Sequence, residues 1–388
     1  MQCVVFTLFG TTFWLMHTLF GATFWLMRTL FVATFWVNAY IFVMDVLNLK
    51  KKNLCFWSGF IIFAILKFWV MEFRTTIHTR EGDHFMRHSD KMMLVGSCFS
   101  DNIGAKLRDA MIDVVVNPFG TIFNPLSIAS SLHKVIDNEV VAGADLFLAN
   151  GVWSNFDFHS RFSMASKEAA LERMNRSIEE AHEHLLGCKT LVITLGTAVV
   201  YRRRDTGEVV SNCHKVPQHE FTRRMAGVDE ITKALAAVVS RLHEFNPELR
   251  VLFTVSPIRH IADGLEMNSL SKAVLRVAIN NVVRQFKDFV GYFPAYEIVM
   301  DDLRDYRFYT ADMVHPTDVA IEYIWQTFQG TYFDDRSTQA IARCERVSKR
   351  LKHRPMSNNP DVVARFNADT QAVIANLKKE YPYIKEKG

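Results

Sequence analysis

MMLVGSCFSDNIGAKL, Met92 to Leu107, is four apolar residues running into Gly96-Ser97-Cys98, with a helical pattern following at once. A short apolar run bounded by a turn reads as a buried strand. In an open parallel sheet, ligands bind outside the carboxyl ends of the strands, so a serine at that corner has its hydroxyl at the mouth of a cleft. Its own N–H and the positive end of the following helix are placed to meet an oxyanion. Gly96 gives the backbone room for a sharp turn. The same serine also reads as a plain helix N-cap, and the segment alone does not separate the two roles.

Outward from this corner the pattern repeats. Apolar runs at Met92–Val95, Ile112–Val116, Leu191–Thr194, Val251–Val255 and Phe289–Phe293 read as buried strands. Helical patterns cover Ser100–Met111, Pro125–Asp137, Ser166–Leu186, Asp229–Phe245, Ser269–Phe286 and Thr317–Phe328. Strands that alternate with helices imply βαβ crossovers, hence a three-layer α/β/α sandwich around a mostly parallel sheet of about five strands. Val199–Tyr201 and Val209–Val210, joined through Asp205-Thr206-Gly207, read as a small inserted hairpin. Past residue 330 the chain is charged and helical, with helices expected at Ser337–Arg350 and Pro360–Tyr381 as a C-terminal appendage over 331–388.

The hydrophobic content of 49% excludes global disorder. Residues 1–70 hold five of the 45 basic and one of the 41 acidic side chains, which leaves residues 71–388 with 40 of each and no footprint for a nucleic acid. Six cysteines form no CxxC pair, so free thiols are expected rather than a zinc site or a disulfide scaffold. No glycine-rich phosphate loop occurs, and no cofactor is expected.

The first seventy residues stand apart. TLFGTTFWLMH (Thr7–His17), TLFGATFWLMR (Thr18–Arg28) and TLFVATFWVNA (Thr29–Ala39) repeat with a period of eleven. Before Arg28 there is no charged residue, a stretch long enough to cross a bilayer. Two readings stay open. One is a membrane anchor flanked by Lys50–Lys52. The other is duplicated sequence upstream of the true start, since Met71 begins MEFRTTIHTR like a soluble protein. The first makes the protein membrane-anchored; the second leaves a cytoplasmic domain.

The second chemical segment is YTADMVHP, Tyr309–Pro316, which sets Asp312 three residues before His315. In such a loop the carboxylate can orient the imidazole, which can then take a serine proton. Asp-x-x-His alone is a common accident, but with a strand-end serine early in the chain it fits a triad in a known order. Cys98 is a rival nucleophile at the helix start, with burial as a small hydrophobe the plainer role. His214 and His260 follow the third and fourth strands, and both are expected on the cleft side, His260 as a competing base. Asp157 and His159 are weaker versions of the same idea. Asp301-Asp302 reads as surface charge pairing with Arg304 and Arg307 rather than a metal pair.

Gly96-Ser97-Cys98-Phe99, with Ser100 as the variable fifth residue, resembles the signature of the GSCFA family. NPFGTIFNP (Asn117–Pro125), ITLGTA (Ile193–Ala198), NCHK (Asn212–Lys215), TVSPIRH (Thr254–His260), NSLSKAVL (Asn268–Leu275) and YFPAYEIVMDDLRDYRFYTADMVHP (Tyr292–Pro316) extend the resemblance over roughly Glu72 to Gln329. That family looks like a branch of the SGNH/GDSL hydrolases. The resemblance implies acyl-ester chemistry through Ser97 as nucleophile, His315 as base and Asp312 as its orienting carboxylate. It also implies an oxyanion N–H from Gly120. Where the superfamily carries an oxyanion-binding asparagine, this chain reads Thr194-Leu195-Gly196-Thr197, so Thr197, or Asn212 reaching from the hairpin, is the expected substitute.

The function expected is a serine esterase acting on a small-molecule or acylated-carbohydrate ester. An O-acyltransferase on the same site, and a ligand-binding member of the fold without turnover, are the alternatives.

Overall fold

The computed structural model describes residues 74–77, 79, 84–353 and 359–384. The eleven-residue repeat and the membrane-anchor reading lie outside these residues. Among the described residues ten strands occur in chain order: β1 (Lys91–Gly96), β2 (Val114–Val116), β3 (Phe147–Ala149), β4 (Val152–Ser154), β5 (Cys188–Leu195), β6 (Val199–Arg203), β7 (Val209–Val210), β8 (Phe221–Met225), β9 (Arg250–Val255) and β10 (Val290–Tyr292). The longer helices are α1 (Cys98–Asp109), α2 (Pro125–Asp137), α3 (Lys167–Leu186), α4 (Val228–Phe245), α5 (Gly264–Gln285), α6 (Asp318–Tyr332), α7 (Asp335–Lys352) and α8 (Pro360–Glu380).

Five strands form the central sheet in the order β10-β9-β5-β1-β2, and every pairing in it is parallel. The chain steps from β1 outward to β2, then crosses back to place β5 on the other side of β1. Side chains alternate across a strand, and here both faces are apolar. Met93 and Val95 enter one core with Leu191, Ile193 and Phe253, while Met92 and Leu94 enter the other with Val192 and Leu252. Helices α2 to α5 line the first core; α1, α6 and Ile341 of α7 line the second. This makes the three-layer α/β/α sandwich, and explains why the strands read as unbroken apolar runs. Each fully buried Leu, Ile or Phe contributes about 1.5–3 kcal/mol.

Local chemistry sets the helix ends. Ser97, Asn124, Ser166, Thr317 and Asp334 each cap the helix that follows by accepting a backbone N–H. Helix α5 begins at Gly264, five residues before the expected Ser269. The expected hairpin forms as β6 and β7, and β8 adds a third antiparallel strand on its other side. A second hairpin, β3–β4, turns through Asn150 and Gly151, both at positive φ. Asn-Gly is a strong hairpin signal, so this one was readable. A π-helix at Ile298–Leu303 turns Asp302 inward. The surface role expected of Asp302 is therefore corrected: it is 4% exposed, 2.9 Å from Arg74 Nε, and accepts the Tyr323 hydroxyl at 2.7 Å.

Beyond α6, Ala340, Cys344 and Val347 of α7 pack against Leu377, Tyr381 and Ile384. Ser348 donates to Asp109 O at 2.6 Å, and Lys352 pairs with the Asp109 carboxylate, which ties this helical pair to the end of α1. Among the described residues, no helix is long and apolar enough to cross a membrane.

Candidate active site

The corner after β1 is tight for a visible reason. Gly96 has φ +134, and a Cβ there would overlap Thr194 O of β5. Only glycine lets the two strand ends close on one another. Ser97 follows in extended conformation, donates its N–H to Thr194 O at 3.2 Å, and accepts the Phe99 N–H on Oγ at 3.3 Å. Its residue is 1% exposed. The corner therefore sits between β1 and β5, where the winding of the sheet reverses.

Asn117, at the end of β2 with φ +50, braces this corner from the other side. Its Oδ1 accepts the Gly96 N–H at 2.8 Å, and its Nδ2 donates to Asp101 Oδ1 at 2.9 Å. Thr121 Oγ1 donates to the other Asp101 oxygen at 3.1 Å.

The Tyr309–Pro316 loop folds back on itself, with Thr310 N–H donated to His315 O at 2.8 Å. Asp312 sits inside the turn. Its Oδ1 accepts Thr310 Oγ1 at 2.7 Å, Val314 N at 2.8 Å and His315 N at 3.0 Å, while Oδ2 meets His315 Nδ1 at 2.6 Å. The Thr310 hydroxyl, then the His315 and Val314 N–H groups, hold its carboxyl far below the usual carboxylate range. An ionised Asp312 only accepts, so Nδ1 of His315 must carry the proton and Nε2 is left with its lone pair. That is the tautomer a general base requires.

This loop docks on the β9 corner. Arg259 N–H reaches Val314 O at 3.3 Å, its Nη1 reaches Met313 O at 3.4 Å, and its guanidinium lies 4.0 Å from the centre of the Tyr309 ring. Val314 and Cys98 pack into the same apolar cluster as Phe99 and Ile258. The Ser97 and His315 loops thus share one cluster at the carboxyl edge of the sheet. Among the described hydrogen bonds, none joins Ser97 to His315.

The other expected residues are placed as follows. Gly120 has φ +82 and abuts His159, and its N–H is donated to Asn117 O at 2.7 Å. Thr197 Oγ1 pairs with Ser271 Oγ at 3.1 Å and accepts the Val199 N–H at 3.1 Å. Asn212 accepts the His214 N–H at 2.8 Å, and His214 Nε2 bonds Asn155 O at 2.8 Å beside the Phe147 and Phe156 rings. Both thus serve the loop that holds β3–β4. His159 is a 3₁₀ cap that accepts the Arg161 N–H, and Asp157 pairs with Lys134 at 3.1 Å. Cys98 is half-buried, and burial followed by Asp101 pushes its thiol pKa up, which disfavours the thiolate a rival nucleophile needs.

His260 follows β9 and faces the β5 corner at Gly196. Its Nε2 is buried without a hydrogen bond and would sit 3.1 Å from a Cβ on Gly196. Burial, then Lys272, then His315 push its pKa down to about 4. No carboxylate bonds it among the described residues, in contrast to His315.

Residue-type reasoning passed over Lys272. It is 2% exposed, and its ammonium donates to Gly196 O at 2.6 Å and Ser256 O at 2.8 Å, the corners after β5 and β9. Burial pushes its pKa down to about 7, against a smaller opposing pull from Cys98. The signal for it was the NSLSKAVL stretch, whose Asn268, Ser271 and Lys272 share one face of α5. Among the described residues, no His, Cys, Asp and Glu gather as a metal site.

No curated protein matches the chain. Among solved structures it is similar to an acetyl xylan esterase, Est2A, from the rumen bacterium Butyrivibrio proteoclasticus, at 12% identity over 62% of this chain and 63% of that one, with a TM-score of 0.34. The chain thus spans less than two thirds of that protein. It is similar to a carbohydrate esterase family 2 enzyme from Corynascus thermopiles (11% identity, 69% and 68% coverage, TM-score 0.33) and to a family 3 carbohydrate esterase from Clostridium thermocellum (10%, 62% and 94%, 0.31). The family comparison is direct: residues 91–328 match the GSCFA family model, and the chain belongs to the GSCFA family.

Proposed function

We propose that the protein is a serine-dependent ester hydrolase in which Ser97 is the nucleophile, His315 the general base and Asp312 the group that orients it. The observation that carries the reading is the Asp312–His315 pair, a 2.6 Å contact backed by three further donors on the same carboxylate. Three of the four bonds hold the turn, and the fourth, to Oδ2, fixes the imidazole tautomer. In the reaction, Ser97 Oγ leaves the Phe99 N–H and attacks the ester carbonyl while His315 Nε2 takes its proton. Collapse of the tetrahedral adduct returns that proton to the departing alcohol and leaves an acyl-Ser97. Water, deprotonated by the same Nε2, then releases the acid. The positive end of α1 lies under the developing oxyanion.

The test is covalent. A fluorophosphonate probe should label Ser97, and Ser97→Ala should abolish both the labelling and the hydrolysis of p-nitrophenyl acetate. Turnover by the variant at the wild-type rate ends the proposal. An acyl-ester panel that includes acetylated sugars then sorts the substrate class, and product analysis with a sugar acceptor separates hydrolysis from transfer.

A ligand-binding role without turnover has its own support. The Ser97 and Gly120 N–H groups, the expected oxyanion donors, are both donated to backbone carbonyls. On that reading an acyl ligand binds Ser97→Ala and wild type alike, and neither consumes it.

A further inference from the structure

Lys272 presents a physical puzzle. A lysine ammonium taken out of water costs several kcal/mol unless an anion pairs with it, and the partners here are two backbone carbonyls with the Tyr296 ring 5.9 Å away. A methionine would fill the same space without that cost. It would also leave Gly196 O and Ser256 O without a donor, so the charge serves the two corners those carbonyls belong to.

Its setting says what. Asn268, Ser271 and Lys272 lie three and four residues apart on α5, and all are buried. Asn268 Oδ1 accepts the His260 N–H at 2.9 Å. Ser271 Oγ accepts the Ala198 N–H at 2.7 Å and pairs with Thr197 Oγ1. Lys272 clasps Gly196 O and Ser256 O together. One helix face therefore holds both corners that follow β5 and β9, at four backbone points, from beneath the cleft. The β5 corner is where the resemblance to SGNH/GDSL hydrolases leads one to expect an asparagine and this chain reads Gly196-Thr197. The β9 corner carries Arg259, on which the Asp312–His315 loop rests.

We propose that Lys272 is a positioning residue of the site: its buried ammonium locks the β5 and β9 corners in register, so that the His315 loop and the β5 edge of the cleft keep a fixed distance. Asn268 and Ser271 complete the clasp. This rests on the hydrolase reading for its catalytic consequence, but the clasp itself does not.

The experiment compares the full chain with Lys272→Met and Lys272→Arg by thermal melting, by hydrogen exchange of peptides covering 195–199 and 256–261, and by kcat and KM on p-nitrophenyl acetate. Lys272→Met, which leaves Gly196 O and Ser256 O without a donor, is expected to melt below the wild type. It should exchange at least tenfold faster in both peptides and lose at least tenfold in kcat with KM moved less than threefold. Lys272→Arg, which keeps the donors and the charge, should recover part of the loss. A lysine that only stabilises the fold would lower the melting temperature while leaving the kcat of the folded fraction alone, and that kcat result overturns the proposal. So does unchanged exchange in both peptides. If Lys272→Met does not fold, Lys272→Gln is read in the same way. Should the wild type itself turn over no ester, the hydrolase reading fails, and the exchange data alone decide the clasp.

Discussion

Replacing Asp312 with asparagine separates orientation from every other role of that side chain. Three of the four donors on Asp312, from Thr310, Val314 and His315, converge on Oδ1, and only His315 Nδ1 meets Oδ2. An asparagine whose carbonyl takes the Oδ1 position keeps the three bonds that fold the loop. Its amide then presents N–H to His315 Nδ1, where a carboxylate had accepted one. Two donors cannot face each other, so the imidazole shifts its proton to Nε2 and ceases to be a base toward Ser97. Because the loop bonds survive and the side chain is half exposed, the melting temperature should stay within a few degrees of wild type. Turnover should fall by about 10³- to 10⁴-fold, the scale seen when a Ser-His-Asp triad loses tautomer control. The assay is kcat/KM on p-nitrophenyl acetate, with the rate of fluorophosphonate labelling beside it. A variant within threefold of wild type on both, while Ser97→Ala is inactive, would refute the argument that Asp312 orients the base.

Ser97→Ala should cost about 0.5–2 kcal/mol in stability besides its activity, because Ser97 Oγ caps α1; urea unfolding that shows no change at all would remove the cap. Gly96→Ala puts a methyl into Thr194 O at a positive φ, so a loss of about 3 kcal/mol or more is expected together with loss of probe labelling, and wild-type stability would contradict the close approach of β1 and β5. His260 protonates near 4 when folded, against 6.5 when free, so between those values the unfolded chain holds the extra proton and stability falls as pH drops through the window, by up to about 3 kcal/mol. Urea midpoints of wild type and His260→Gln, measured between pH 7 and 4.5, should therefore converge as pH falls; a constant difference speaks against a buried neutral imidazole.

Much of this molecule could be read without coordinates, and the reason is local. Apolar runs of four to eight residues bounded by turns have few ways to be satisfied other than as strands covered on both faces, so β1, β5 and β9 and the α/β/α layering follow from pattern. Ser97 and the Asp312–His315 pair were legible because a strand-end corner and a three-residue spacing are both short-range features. The Asn150-Gly151 turn is a short-range signal of the same kind, but it was passed over.

What pattern could not supply is which polar groups meet across the sheet. Asp302 read as one of several surface charges, yet a π-helix turns it into the interior toward Arg74 and Tyr323, more than 200 and about 20 residues away in sequence. Asn212 and His214 read as cleft residues, yet a left-handed turn at His214 commits them to the loop around Asn155. Lys272 sits on a helix where a lysine ordinarily points to water, and only the packing of α5 under β5 and β9 buries it. Backbone periodicity is written residue by residue, so sequence alone determined the central strands, the main helices and the serine corner. The partner of a buried charge is set by how those elements pack, because desolvation and hydrogen bonding are decided where distant segments touch, and that was left to the tertiary structure.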